Sequence, residues 1–424
     1  MTATSFLTYS QLSVWRSIEP FPVEQHGVLF LNKVWDLPDG VTIEQVERAL
    51  ALLARRHEAL RLRFELDHED EPRQRAEADA IVPHEVMALF SAAGPDEPPA
   101  APEGFARPFD IEREPAWRAC TVTHDGVPRY LRICCHHLIA DAWSMRTLRN
   151  DFAAILAGAA PAADAPRPSD LAEVQRSVAW TKRHEAAMRH WGTAIKTSVD
   201  ADVRPGDAAP VRRWVSLESV PALESARMLA EATKTSVHSV VLAAFGEVTA
   251  QRSGRTTFRI GLLAGNRSSR RWRELVCPMD QLTPVVFTRD PGRSFSETVG
   301  AVHRAALLAY SNASYDVDEL AAELEEHEVD AVDGGMDCFF NFIPVPPVAL
   351  PGVAPFRPGG SEPWRCTVSE GGRNNGVPTF LKVSAGDYLL LRLQECRTGS
   401  TAQSMRQDLL ALQDVIGAAA SRLG

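Results

Sequence analysis

No stretch of this 424-residue chain approaches the roughly 18 consecutive apolar residues that a membrane helix requires. The opening Met1-Thr2-Ala3-Thr4-Ser5-Phe6-Leu7 lacks the basic start and long apolar core of a secretory signal. The expectation is a cytoplasmic protein with no membrane partner. Basic residues are the minority. With 45 Lys and Arg against 55 Asp and Glu, the net charge is −10, which counts against nucleic acid as a partner. The local exception is Asn266-Arg267-Ser268-Ser269-Arg270-Arg271-Trp272-Arg273. It reads equally well as a solvated loop or a small binding patch. Cysteine is sparse, seven residues without regular spacing, which fits reduced thiols rather than a disulfide framework. The run Cys134-Cys135-His136-His137 invites a metal reading. Successive strand residues alternate faces, however, and four in a row cannot close one tetrahedral shell. No metal is expected. No internal repeat is present.

What is there is an ordinary globular composition, 45% hydrophobic and 24% charged. The length implies two domains or lobes. The Ala/Pro-rich stretch 158–170 is the best linker candidate, giving lobes 1–165 and 166–424.

Local signals then place the elements. Thr42 with Gln45 predicts a capping box opening a helix, with Ile43, Val46, Leu50 and Leu53 as its apolar stripe. Residues 91–104 hold four prolines and two glycines and read as a loop. Strands are predicted over 117–123 and 130–136, joined by the turn signal His124-Asp125-Gly126-Val127. Helices are predicted over 171–191, over 237–249 ending near Gly254, around Phe295, Val299, Val302 and Ala306, and around Met405, Leu409, Leu412 and Ile416. Further strands are predicted over 258–263, 339–343 and 388–393. Helices mixed with hairpins and crossovers predict an α/β fold with mixed sheets.

The most informative stretch is His136-His137-Leu138-Ile139-Ala140-Asp141-Ala142-Trp143-Ser144. The apolar run before it reads as a buried strand. After it, Leu148, Phe152, Ile155 and Leu156 share a helical face, with Gly158 as the stop. The two histidines therefore sit on a strand-to-helix turn, and adjacent residues there point opposite ways. One ring can face a cleft and the other is structural. Asp141 either orients a ring or pairs with a cation and holds the turn.

These residues resemble the condensation domains of nonribosomal peptide synthetases, within the chloramphenicol-acetyltransferase-like superfamily. Five segments carry the resemblance in the family's order: Leu7-Thr8-Tyr9-Ser10-Gln11 with Trp15; Arg56-His57-Glu58-Ala59-Leu60-Arg61 with Phe64; Phe105-Ala106-Arg107-Pro108-Phe109-Asp110 with Glu114-Pro115; the His136 to Ser144 motif, similar to His-His-x-x-x-Asp-Gly; and Ile260-Gly261 with Ala264-Gly265-Asn266-Arg267. The resemblance covers essentially the whole chain. It implies two acetyltransferase-like lobes in a V, with an active-site tunnel between them. It also implies an acyl or peptidyl carrier protein that presents the donor as a phosphopantetheine thioester, with no cofactor bound to the chain itself. The acceptor, a small molecule or carrier-bound, would attack through an amine or hydroxyl to give an amide or ester in natural-product and antibiotic biosynthesis. By the motif, His137 is the catalytic residue, as general base or as a positioning group. His136, Asp141 and Arg267 support it, Asp141 pairing with Arg267. Arg56 and His57 are expected in packing and ion pairs. Ala142, Ser144, Gln11 and Asn341 are candidate tunnel-lining residues.

The departures from the family pattern are informative. Ala142 stands where the pattern has Gly, so one methyl narrows the tunnel or is tolerated. Leu275-Val276-Cys277-Pro278-Met279-Asp280-Gln281-Leu282-Thr283 replaces an Ile-Gly-x-Phe-Val-Asn-Thr-Leu type of segment, which makes Asp280 and Gln281 unusual. Gly334-Gly335-Met336-Asp337 is similarly divergent. These lie in the expected second lobe and point to an atypical acceptor. No carrier segment is found, since Gly359-Gly360-Ser361 sits in a Pro-rich loop, and there is no room for an adenylation domain. A free-standing enzyme is expected. Three rivals stand beside it: an epimerisation domain, a catalytically silent module recruiting partners to a carrier-bound intermediate, and a coenzyme-A-dependent acyltransferase. Epimerisation members place Trp after the motif's Ser, whereas Trp143 precedes Ser144 here.

Overall fold

The computed structural model describes residues 4–66, 71–89, 104, 105, 107–159, 165–197, 211–327, 329, 335–343, 347, 353–360, 362–373, 379–396 and 399–423. These form an α/β fold with mixed sheets, as expected. Most of the predicted loop 91–104, and the motif positions Gly334 and Ser361, lie outside the described residues.

Two compact units divide the chain. One is Met1–His184 with Gly265–Gln281, the other Glu185–Ala264 with Leu282–Gly424. The division differs from the expected 1–165 and 166–424 in two ways. First, the helix Pro168–Gln175 belongs with the N-terminal unit. Its Leu171 packs on Trp272, Leu275, Cys277 and Met279, and Tyr9 N–H donates to Gln175 Oε1 at 2.9 Å. Second, residues 265–281, expected in the second lobe, join the first. The predicted helix over 171–191 is two helices, Pro168–Gln175 and Val178–Lys196. The Tyr9 hydroxyl donates to the Gln175 carbonyl at 3.0 Å and occupies an acceptor that a continuous helix would use.

The first unit holds a four-stranded sheet in the order Phe30–Asp36, Val127–His136, Trp117–His124, His84–Leu89. The first two junctions are antiparallel and the last parallel. The hairpin turns on Asp125 (φ 51°) and Gly126 (φ 76°), both left-handed as a tight two-residue turn requires. The helix Ile43–Arg56 opens on the predicted Thr42–Gln45 capping box and buries Val46, Leu50 and Leu53. The helix Ala142–Leu156 follows the histidine turn, and Gly158 ends that region at φ 82°.

The second unit is built on a seven-stranded sheet, ordered Gln281–Thr288, Thr257–Ala264, Cys338–Ile343, Thr379–Ala385, Leu389–Glu395, Val211–Ser219, Trp364–Arg373. Parallel pairing joins Cys338–Ile343 to both of its neighbours, and the strands from Thr379–Ala385 to Trp364–Arg373 pair antiparallel. The helix Val237–Ser253 is buried through residues 239–246, as a helix apolar on all sides must be. The closing helix Ala402–Ala420 buries Met405, Leu409, Leu412 and Ile416.

Candidate active site

The strand Val127–His136 delivers the two histidines. His136, its last residue, pairs with Phe30, and its N–H donates to Ala116 O at 2.8 Å. The ring is buried between Phe30 and Phe109, with centroids 5.7 and 6.2 Å away. Its Nδ1 accepts the Leu138 N–H at 3.1 Å, which puts any single ring proton on Nε2. Burial, and secondarily the neighbouring His137, push its pKa down to about 3. His136 is a neutral spacer that shapes the turn.

His137 is the first residue of the turn and is half-buried. Its N–H donates to Leu29 O at 3.0 Å, so the backbone is held to the sheet. The Nδ1 atom is buried with no hydrogen-bond partner. The ring therefore stands on a fixed support with hydrogen-bonding capacity unspent.

The turn is locked from beneath by Asp141. Its carboxylate caps the helix Ala142–Leu156 by accepting the Ser144 N–H at 2.6 Å, and it accepts the Ser144 hydroxyl at 2.7 Å. Arg267 Nη2 lies 2.9 Å from Oδ1 and 2.8 Å from Oδ2, and Met279 N–H donates to Oδ2 at 3.2 Å. Arg267 also donates to the carbonyls of Leu275 and Cys277, each at 2.8 Å. Both side chains of the ion pair are less than a tenth exposed. The hydrogen bonds to the Asp141 carboxylate and from the two Arg267 terminal nitrogens make the buried pair tolerable, while Arg267 Nε is buried without a partner.

The candidate lining residues divide. Gln11 is fully buried; its amide donates to Gln74 Oε1 at 2.8 Å and to Leu138 O at 3.1 Å, and its Oε1 accepts the Thr8 N–H. Ser144 is also fully buried, accepting the Cys277 N–H at 3.1 Å. These side chains brace the turn and have no polar group left for a substrate. Ala142 is exposed at the start of its helix. Asn341 lies in the second unit, on the strand Cys338–Ile343, paired with Lys382.

The Arg56-His57-Glu58 segment is structural, as expected. Arg56 Nε and His57 Nε2 both meet Asp151 Oδ2 at 2.8 Å, bracing the helix that follows the turn. Glu58 accepts the N–H and hydroxyl of Ser169, each at 3.0 Å.

A family model, "Condensation domain", matches residues 24–345. The chain belongs to the condensation-domain family. Condensation domains are acyl and aminoacyl transferases that form amide or ester bonds in natural-product assembly, and this chain is a transferase of that type. The chain is 28% identical over 305 residues to phosphinothricin tripeptide synthetase PhsC of Streptomyces viridochromogenes, covering 67% of this chain and 28% of the synthetase. It is 25% identical over 325 residues to bacitracin synthase 2 of Bacillus licheniformis, covering 72% of this chain and 12% of the synthase. It thus spans less than a third of either relative. Among solved structures, a condensation domain mediating chain release from the enacyloxin polyketide synthase superposes with a TM-score of 0.76 at 19% identity, covering 99% of this chain and 82% of the other. That likeness confirms the fold. Among the described residues no helix is long and apolar enough to cross a membrane.

Sequence reasoning missed several parts of this condensation domain's turn. The Leu29 carbonyl and the Cys277 and Met279 backbone groups carry no side-chain signature. Asp280 stood out only as a residue foreign to the family pattern.

Proposed function

We propose that this condensation domain transfers an acyl or aminoacyl group from the phosphopantetheine thioester of a carrier protein to an amine or hydroxyl acceptor, with His137 as the group that handles the proton. The observation that carries the reading is the pairing of a half-buried imidazole whose Nδ1 has no partner with a turn fixed by the Asp141–Arg267 clamp. Membership of the condensation-domain family supports a carrier-bound donor, and in this reading the arm is the substrate's tether rather than a cofactor of the chain.

The step balances simply. The acceptor nitrogen or oxygen attacks the thioester carbonyl, and its proton passes to His137. The tetrahedral intermediate then collapses, the C–S bond breaks, and His137 returns the proton to the departing thiolate. The products are an amide or ester and a free thiol. A positioned imidazole suits both halves of this transfer. His136 and Asp141 take no proton; one is buried and neutral, the other committed to five donor contacts.

The test is the intact mass of an acyl-loaded carrier protein incubated with the chain and a pool of amines and alcohols. His137→Ala and acyl-coenzyme A donors run in parallel. Expected is loss of acyl mass with a matching product, reduced about 10²–10⁴-fold in His137→Ala. Transfer from free acyl-coenzyme A alone would move the enzyme to the coenzyme-dependent class. Carrier binding without turnover from any donor would overturn the transferase reading in favour of a recruitment module.

A further inference from the structure

Asp280 is a carboxylate that the clamp around the turn leaves unspent. Its Oδ1 is buried with no hydrogen-bond partner. The backbone on either side is pinned. Met279 N–H is held by Asp141 and Met279 O accepts from Asn266 Nδ2 at 2.9 Å. Gln281 is buried, with its Nε2 donating to Ser13 Oγ at 3.1 Å. These bonds fix the backbone from which the Asp280 side chain departs.

A buried, unpaired carboxylate is costly, so a cation or a proton must accompany it. The charged and titratable groups that act on Asp280 include His137, Asp141 and Arg267. Asp141 carries the same sign and opposes ionisation. Arg267 has both terminal nitrogens committed to Asp141 and to the carbonyls of Trp272, Leu275 and Cys277. Arg267 Nε is buried without a partner, and the other group beside Asp280 that can take up a positive charge is His137. Its Nδ1 is buried and also lacks a partner, and it acts on Asp280 more strongly than Asp141 or Arg267 does. The neighbouring His136 is buried and neutral.

We infer that Asp280 is a positioning residue for His137: its carboxylate stabilises the imidazolium formed when the ring takes the acceptor's proton, and the charge pair dissolves when that proton passes to the thiolate. The catalytic half of this inference rests on the proposed transfer reaction; the pairing itself does not. Burial drives the Asp280 carboxyl above the usual carboxylate range, and the charge of His137 draws it partly back. A carboxylate poised in that way is neutral or charged according to the ring beside it, and the two titrate as a pair.

Two measurements decide it. In protein labelled with 13C at the aspartate Cγ, the Asp280 signal is identified by its loss in Asp280→Glu. It should titrate above the ordinary value near 3.9. His137→Gln, which removes the ring's charge, should raise that midpoint further. This needs no substrate, so failure to find a transfer reaction leaves it standing. In the transfer assay, Asp280→Asn should lower kcat at least about tenfold, the equivalent of one pH unit, with KM little changed. The acidic limb of its kcat profile should move to lower pH, since a ring without its carboxylate holds a proton less firmly. Asp280→Glu should recover part of the rate. An Asp280 midpoint unmoved by His137→Gln overturns the pairing whatever the turnover shows. A moved midpoint with an unshifted profile in Asp280→Asn overturns the catalytic role. If Asp280→Asn does not fold, the titration in His137→Gln still decides the pairing, and the rate of Asp280→Glu decides the catalytic role: a wild-type rate would overturn it.

Discussion

The two units hold their central elements by opposite means. In the first, the histidine turn is fixed by charge and hydrogen bonds, with Ser144, Arg267 and Met279 all converging on Asp141. In the second, the helix Val237–Ser253 is fixed by apolar contact. Gly246 presses so closely on the Phe287 ring that an added Cβ would lie 2.2 Å from it. Apolar packing stabilises in proportion to area and is non-directional. A carboxylate with several donors is directional, and it dictates one geometry at the cost of desolvating charge. A side chain that must meet a reacting atom needs the second kind of support, because misplacement by about 1 Å can cost about 10²-fold in rate.

The comparison breaks most visibly at Arg267. Arg267→Met leaves the buried Asp141 charge without its cation and should cost about 3–5 kcal/mol, with transfer lost along with stability. The double variant Asp141→Asn/Arg267→Met removes the orphaned charge. Urea denaturation should show it less destabilised than the sum of the two single changes. A strictly additive result would mean that the two side chains do not support each other.

Gly246→Ala is the matching change in the second unit. Alanine favours a helix over glycine by about 1 kcal/mol, yet overpacking against Phe287 should leave a net loss of about 1–3 kcal/mol. Phe287→Leu in the same chain should return part of it. Unlike the Arg267 change, this one should leave the rate per folded molecule intact. A lower rate at unchanged folded fraction would show that the apolar core also sets the geometry of the chemistry.

The same contrast explains what could be read from the sequence. The Thr42–Gln45 cap, the Asp125-Gly126 turn and the strand, turn and helix around His137 are each fixed within a few residues, so spacing reveals them. The family resemblance supplied the Asp141–Arg267 pair, 126 positions apart, which no local pattern could. Illegible was whatever one distant group imposes on another. The helix ends at Gln175, whose carbonyl accepts the Tyr9 hydroxyl. The donors on Asp141 draw residues 265–281 into the first unit, against a lobe boundary read from composition. Gln11 and Ser144, expected as lining, are consumed in bracing the turn, since a polar side chain looks the same in sequence whether its partner is substrate or backbone.

One effect should be shared by both units, and it separates burial from chemistry. His136 in the first and His238 in the second are both buried. Burial, ahead of the adjoining His137 and His303 respectively, pushes them down to about 3 and about 4. The folded values lie below the unfolded value near 6.5, so over this range the unfolded chain binds more protons and stability falls as pH falls. Between pH 7 and pH 5.5 each ring should contribute a loss of about 1 kcal/mol. His136→Asn keeps an acceptor for the Leu138 N–H but does not titrate. Denaturation at the two pH values should show a shallower loss in this variant, and a similar relief in His238→Asn, whose side chain can still meet the Tyr310 hydroxyl that His238 Nε2 contacts at 2.7 Å. Equal relief would mean that burial alone sets the acid sensitivity of both units. Relief confined to His238→Asn would mean that His136 takes up a proton in the folded chain in spite of its burial.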